Sequence, residues 1–298
     1  MASLDGRQRR GLTRVAVGAM ARDPAWSPDG RLIAYSYTPP LTGARGPGGM
    51  LPLPVTDIWV MGADGSEPRL LLEHPAPGSG YETPVWAPDG ASLYVTYSEL
   101  IMESSIVRDQ LLELANVPLD GQGKGGARRT VAPRGTWPAL APDGKRLAFL
   151  SSEPQGQALV VCDADGQNAR PLVPTGQMEG LAAPRFSPDG RQIVFSAIAP
   201  MAPLPTTTPI PGRGPLAGPA RALAHGLPMD LYLIDVGGGA PRRLTQLGED
   251  NPAAVWAPDG RRLSILSGGG LYVLNADGSE VRAIDQRGGH GTIDWRRA

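Results

Sequence analysis

The chain carries one cysteine, Cys162, and only three histidines in 298 residues. A single thiol cannot close an intrachain disulfide, and no multi-cysteine zinc site is available. No stretch reaches the roughly 18 consecutive apolar residues of a membrane-spanning helix, so no membrane insertion is expected. Charge of one sign is also missing: 28 basic residues face 29 acidic ones, for a net of -1. Nucleic-acid and membrane-surface proteins usually carry a basic excess, so neither partner is expected. Lys124 and Lys145 are the only lysines, and nearly all positive charge is arginine. Arg7, Arg9 and Arg10 precede a weakly apolar stretch that Arg14 interrupts, which does not make a signal peptide. The compartment stays open, with a cytoplasmic location the expectation from this chain alone.

What is abundant is glycine and proline, 40 and 32 residues, about a quarter of the chain. Long helices tolerate neither, which excludes an all-α bundle. Yet 41% of the residues are hydrophobic, far more than a disordered Pro/Gly chain carries. A turn-rich all-β protein satisfies both facts.

Self-similarity defines the architecture. Trp26-Ser-Pro-Asp-Gly30 recurs at Trp86–Gly90, Leu140–Gly144, Phe186–Gly190 and Trp256–Gly260, with prolines 60, 54, 46 and 70 residues apart. A degenerate sixth copy starts at Ile293-Asp-Trp295. Proline presets φ, aspartate accepts bonds from nearby amides and glycine takes the positive φ, so each pentapeptide is a hairpin turn. Apolar strands follow, as in Leu32–Tyr37 and Ile193–Ser196, with both alternating sets apolar. Such strands are buried on two faces. A third strand (Asp57–Met61, Leu111–Val117, Leu159–Cys162, Asp230–Ile234, Leu271–Leu274) and an arginine-led fourth complete each unit. Residues 38–56 and 198–229 are insertions between second and third strands. Without them the spacings become ordinary blade lengths of about 40 residues.

Tandem four-stranded antiparallel meanders describe the blades of a β-propeller. The Trp-Ser-Pro-Asp-Gly hairpin, the Asp-Ile-Trp third strand and the Arg-Arg-Leu-Thr fourth strand resemble the WD40-like PD40 repeat of TolB-like β-propellers, over about residues 8 to 296. The resemblance implies one propeller domain over 1–298 and a protein partner, and TolB-like proteins are often periplasmic. The expected units span about 22–74, 82–133, 136–174, 181–246 and 251–286. Two leftover strands, within 8–19 and 290–296, are expected to build a reduced sixth blade and close the ring. The rival reading is five blades with loosely added ends.

In a meander, alternate turns lie at opposite ends of the blade. The Asp-Gly turns occupy one end, and both insertions occupy the other, where variable loops on a rigid scaffold usually bind. Just before the innermost strands lie Asp23, Tyr81, Glu82, Trp137, Glu179, Asp250 and His290, expected at one mouth of a central channel. They read either as solvated loop residues or as an acidic mouth for a cationic group. His74, His225 and His290 show no ligand spacing, so no metal is expected, and no cofactor either. Gly121–Gly126 matches G-x-G-x-x-G without a helix to follow, and Asp163–Asn168 has its glycine misplaced for a calcium loop; both read as hairpin turns. The motif aromatics Trp26, Trp86, Phe186 and Trp256 read as core. No G-x-S-x-G or H-E-x-x-H occurs.

The reading that follows is a non-catalytic scaffold, monomeric or weakly oligomeric, that binds a protein or peptide. One alternative is the gating propeller of a prolyl-oligopeptidase-like serine peptidase, whose hydrolase domain would have to be encoded beyond Ala298. The other is a sugar-processing propeller enzyme using paired carboxylates.

Overall fold

The computed structural model describes residues 1, 10–41, 53–103, 106–120, 123–198 and 228–295. Their regular structure is entirely β. Blade 1 comprises β1 (Met20–Trp26), β2 (Leu32–Thr38), β3 (Asp57–Gly62) and β4 (Arg69–Leu72). Blade 2 comprises β5 (Ser79–Trp86), β6 (Ser92–Glu103), β7 (Ile106–Pro118) and β8 (Arg129–Pro133). Blade 3 comprises β9 (Gly135–Leu140), β10 (Arg146–Glu153), β11 (Gly156–Asp163) and β12 (Arg170–Val173). Blade 4 comprises β13 (Ala182–Phe186), β14 (Gln192–Ile198), β15 (Met229–Asp235) and β16 (Arg242–Arg243). Blade 5 comprises β17 (Ala253–Trp256), β18 (Arg262–Ser267), β19 (Gly270–Asn275) and β20 (Arg282–Asp285). In every sheet the spatial order follows the sequence. Apart from the terminal residues, the chain forms two compact units, 11–138 and 139–295.

The pentapeptides fold for the reason their chemistry gives. In the first, the Gly30 amide donates to the Ser27 carbonyl at 2.9 Å, and Asp29 Oδ1 accepts the Arg31 amide at 3.0 Å and the Ser27 hydroxyl at 2.6 Å. The Ser27 hydroxyl and then the Arg31 amide hold the Asp29 carboxyl below its ordinary value. The five turn glycines share φ of +66 to +70°, a conformation that side chains resist. The G-x-G-x-x-G match falls in the β7–β8 connection, with its first two residues outside those described. The Asp163 segment is the β11–β12 turn, in which Asp165 Oδ1 accepts the Gln167 amide at 3.0 Å.

The two-sided burial of second strands is also present: Ile33, Ala34 and Tyr35 are consecutive buried residues. In the 11–138 unit, Ile58, Val60 and Leu71 of blade 1 pack with Leu93, Val95 and Tyr97 of blade 2. In the 139–295 unit, Val194 and Leu231 of blade 4 pack with Trp256, Leu263 and Tyr272 of blade 5. Phe186 and Trp256 are buried, whereas Trp26 and Trp86 are only half-buried.

A feature with a faint sequence signal sits in the innermost strands. Asp23, Thr83, Trp137, Ala183 and Asn251 all have φ between +48 and +56°, and each precedes a proline. In blades 1, 2 and 4 the register slips here, between Arg22 and Ala25, Glu82 and Val85, and Ala182 and Arg185. Two residues on the inner strand then oppose one on its neighbour, a β-bulge that turns the backbone amide away from the ladder. The freed polar groups are met by hydroxyls of the preceding blade. The Thr83 amide donates to Ser36 Oγ at 3.2 Å, the Trp137 amide to Thr96 Oγ1 at 3.0 Å, and Thr83 and Thr96 hydroxyls meet at 2.8 Å. In the 139–295 unit the Ser196 hydroxyl donates to the Pro252 carbonyl. Thr96 is buried and serves two bonds, so Thr96→Val is expected to cost about 1–3 kcal/mol in denaturant unfolding. A change within error would mean that the bulges are held by packing alone.

Two expectations are corrected. The third strand of blade 2 starts at Ile106, not Leu111, because it continues into a long hairpin with β6. Neither Gly11–Val17 nor Thr292–Trp295 forms a strand, so five blades are seen among the described residues and no reduced sixth one. Gly11–Val17 is largely exposed and has no ladder partner; Val17 is 100% exposed. Residues 42–52 and 199–227, most of both insertions, lie outside the described residues.

Candidate functional site

The expected mouth residues occupy varied environments. In the 11–138 unit, Asp23 is buried on the bulge of β1, and Tyr81 is buried with its ring 5.3 Å from that of Tyr97. Glu82 is partly exposed and lies 3.6 Å from the Arg22 guanidinium. Trp137 is half-buried on the innermost strand of blade 3. In the 139–295 unit, Glu179 and His290 are exposed, and Asp250 is half-buried, its carbonyl accepting the Gly268 amide at 3.0 Å. Arg22, Asp23 and Glu82 are therefore the group for which the structure gives direct mutual electrostatics.

Burial pushes the Glu82 carboxyl above its ordinary value; Arg22 opposes the shift and Asp23 adds to it. Folded chains then hold this proton more tightly than unfolded ones. The associated stability is present at low pH and is lost as pH rises through the interval between the ordinary and the raised value. Glu82→Gln should thus gain stability relative to the parent chain as pH is raised from about 4 to 7. Denaturant midpoints at the two pH values check this. A relative loss at neutral pH would show that the contact with Arg22 outweighs burial.

A second set of carboxylates was not singled out by the sequence reading. Register places Asp57, Glu113 and Asp230 at one position of the third strand, four residues before Met61, Val117 and Ile234. All three are buried, and each ties down the strand or connection that follows. Asp57 Oδ1 accepts both the amide and Nδ1 of His74 at 2.8 Å. Glu113 takes Arg128 Nε at 2.6 Å and the Thr130 hydroxyl at 2.8 Å, while the Arg128 guanidinium lies 3.7 Å from the Tyr97 ring centre. Asp230 takes Arg243, Thr245 and two backbone amides. Blades 3 and 5 have Ala158 and Gly270 in this place. In blade 5 the missing group is supplied from outside the strand: Glu249 accepts the Ser267 and Tyr272 hydroxyls, each at 2.9 Å. Asp57 and Asp230 were visible as the strand-opening aspartates, but alternation alone gave no reason to read them as buried anchors. His74 is one of their partners, and His225 lies outside the described residues.

The nucleophile inventory is short. Burial, with Asp163 and Asp165 adding, pushes the Cys162 thiol up to about 11, so it is protonated at neutral pH. A cavity of about 320 Å³ lies between blades 1 and 2, walled by Leu32, Val60, Leu71, Trp86 and Leu119, with Arg69 and Asp89 beside it. Gly90, Asp120 and Gly123 of the Asp-Gly turns also line it. No helix among the described residues is long and apolar enough to cross a membrane.

Five four-stranded antiparallel sheets in tandem define an all-β chain built of β-propeller blades. The fold is TolB-like. A solved TolB-type protein of Agrobacterium tumefaciens matches over 93% of this chain and 86% of its own, with a TM-score of 0.62 and 18% identity. Among curated proteins, the uncharacterized peptidase YuxL of Bacillus subtilis (strain 168) is 29% identical over 182 residues, which is 59% of this chain and 21% of that protein. A TolB homolog of Chlorobium chlorochromatii (strain CaD3) is 28% identical over 141 residues, 42% of this chain and 31% of that one. The matched region therefore spans a third or less of the length of these curated relatives. No family model matches the chain.

Proposed function

We propose that the chain is a non-catalytic, TolB-like scaffold that binds a protein or peptide through the blade ends carrying the 38–56 and 198–229 insertions. The observation that carries this reading is the asymmetry between blade ends. The Asp-Gly ends repeat one tight turn with glycine φ of +66 to +70° five times. At the other end blades 1, 2 and 4 each carry a different elaboration. Rigid repeats with variable loops at one end suit recognition rather than chemistry. In this reading Asp23 and Glu82 in one unit, and Glu179 and Asp250 in the other, favour a partner with cationic groups, while Tyr81, Trp137 and His290 border those stations.

Affinity capture with the intact chain and with a variant lacking residues 199–228 tests the proposal. Loss of captured proteins from the shortened variant is expected. Identical captured sets would remove that insertion from the reading.

The similarity to a peptidase favours a second reading, a propeller that gates a hydrolase encoded elsewhere in the same protein or genome. A serine-hydrolase reading frame adjoining this one, whose product co-purifies with this chain, would decide for it.

A further inference from the structure

The β6–β7 hairpin extends well past the blade it belongs to. β8 pairs with β7 only as far as Glu113, and β5 pairs with β6 only as far as Glu99. Residues 101–103 and 106–111 pair only within this two-stranded ribbon, while the Leu100 amide donates to the Gly78 carbonyl and the Leu112 carbonyl accepts the Arg134 amide. Register assigns the ribbon's faces, because directly opposed residues point the same way. Glu99 opposes Leu111, Ile101 opposes Asp109, and Glu103 opposes Ile106 beyond a bulge at Arg108. One face therefore alternates aliphatic and carboxylate side chains. Leu100, Gln110, Met102 and Val107 form the other.

The Leu100 face is covered only at its base, and Val107 towards its tip is 50% exposed. On the Leu100 side, Leu53 and Gly78 close in: a Cβ on Gly78 would lie 2.9 Å from Leu53 Cδ1 and 3.5 Å from Leu100 Cβ. On the opposite face Ile101, Ile106 and Leu111 remain 44%, 58% and 39% exposed. Three exposed aliphatic side chains therefore share one short ribbon face. Arg108 Nε lies 2.6 Å from Glu103 and offsets one charge, leaving the face acidic.

We propose that this face docks a basic, aliphatic-bearing segment of a partner protein. The inference rests on the scaffold reading and places one contact on an element outside both insertions. Charge selects the occupant. A second copy of the same face would set carboxylates against carboxylates, and an anionic lipid surface would be repelled. A segment that alternates aliphatic and cationic side chains on one face fills the apolar positions and neutralises the acidic ones.

The test uses a labelled synthetic peptide with isoleucine and lysine alternating on one face of an extended strand and serine on the other. Anisotropy titrations compare it with the same peptide carrying glutamate for lysine. The intact chain should prefer the lysine peptide by roughly tenfold or more, and less so at high salt. Ile101→Ser with Leu111→Ser, and separately Asp109→Lys, should each remove most of that affinity. Val107→Ser, on the opposite face, should keep it. Unchanged melting curves show that the variants fold. Equal binding of the two peptides, or unchanged binding by the exposed-face variants, overturns the proposal. Capture separates the two claims. If the ribbon variants lose peptide binding yet retain the proteins that the 199–228 deletion loses, both stand. If the ribbon variants change nothing while the deletion loses its partners, the ribbon proposal falls and the scaffold reading stands.

Discussion

Asp230→Ala should destabilise the chain by about 3–5 kcal/mol, the range for removing one partner of a buried charged network. The carboxylate is fully buried, with Arg243 at 2.5 Å on Oδ2 and the Leu247 and Gly248 amides at 2.6 and 3.1 Å on Oδ1. Its removal leaves two amides without their acceptor and the half-buried guanidinium with the Thr245 carbonyl in place of a carboxylate. β16 is only two residues long, so this network holds the edge of blade 4 where a ladder does not. Asp230→Asn retains an acceptor and should lose less. Denaturant unfolding of the three proteins checks the order, and a loss below about 1 kcal/mol for the alanine variant would show that water replaces the carboxylate without strain.

The second large effect is expected at Gly278. Its φ is +92°, and a Cβ there would stand 2.3 Å from the Leu244 carbonyl oxygen. The Leu244 amide donates to the Leu231 carbonyl at 2.7 Å, so that backbone is not free to retreat. Gly278→Ala should cost about 3 kcal/mol, the backbone conformation and the displaced strand both contributing. Gly65 occupies the same turn of blade 1 with φ +87°, and its Cβ would stand 2.7 Å from the Leu12 carbonyl. The Leu12 segment has no ladder bonds and can shift. Gly65→Ala should therefore cost about 1–2 kcal/mol, close to the conformational penalty alone. Equal losses at the two sites would mean that Leu12 is anchored as firmly as a paired strand.

The architecture was legible because its signals are local and repeated. Trp-Ser-Pro-Asp-Gly encodes a turn wherever it falls, and five copies leave little freedom in strand order. The innermost-strand bulges were legible in principle: Asp23-Pro24, Thr83-Pro84, Trp137-Pro138 and Ala183-Pro184 all stand just before the motif aromatic or leucine. Their positive φ is a tertiary outcome, since it depends on Ser36 and Thr96 in the preceding blade. The buried carboxylates were missed for a similar reason. Asp57 and Glu113 look like strand-edge polar residues until the register brings His74 and Arg128 to them. The strand at Leu111 was started five residues late because Ile106–Gln110 mixes apolar and charged residues without clean alternation, the bulge at Arg108 breaking the period. The terminal segments had the composition of strands but lack a ladder partner, which composition cannot supply.

Cross-linking of the intact chain to a captured partner, mapped by peptide mass spectrometry, tests the functional account most directly. Lys124 and Lys145 lie in the β7–β8 and β9–β10 turns, so links from these two lysines report the Asp-Gly ends of the blades. A carboxylate reagent reaches Glu99, Glu103 and Asp109, at the opposite end of blade 2. The account predicts partner links from the carboxylate reagent at Glu99, Glu103 and Asp109, the 39–56 and 199–228 connections carrying no carboxylate of their own, and none from Lys124 or Lys145. Links concentrated at those two lysines would contradict it.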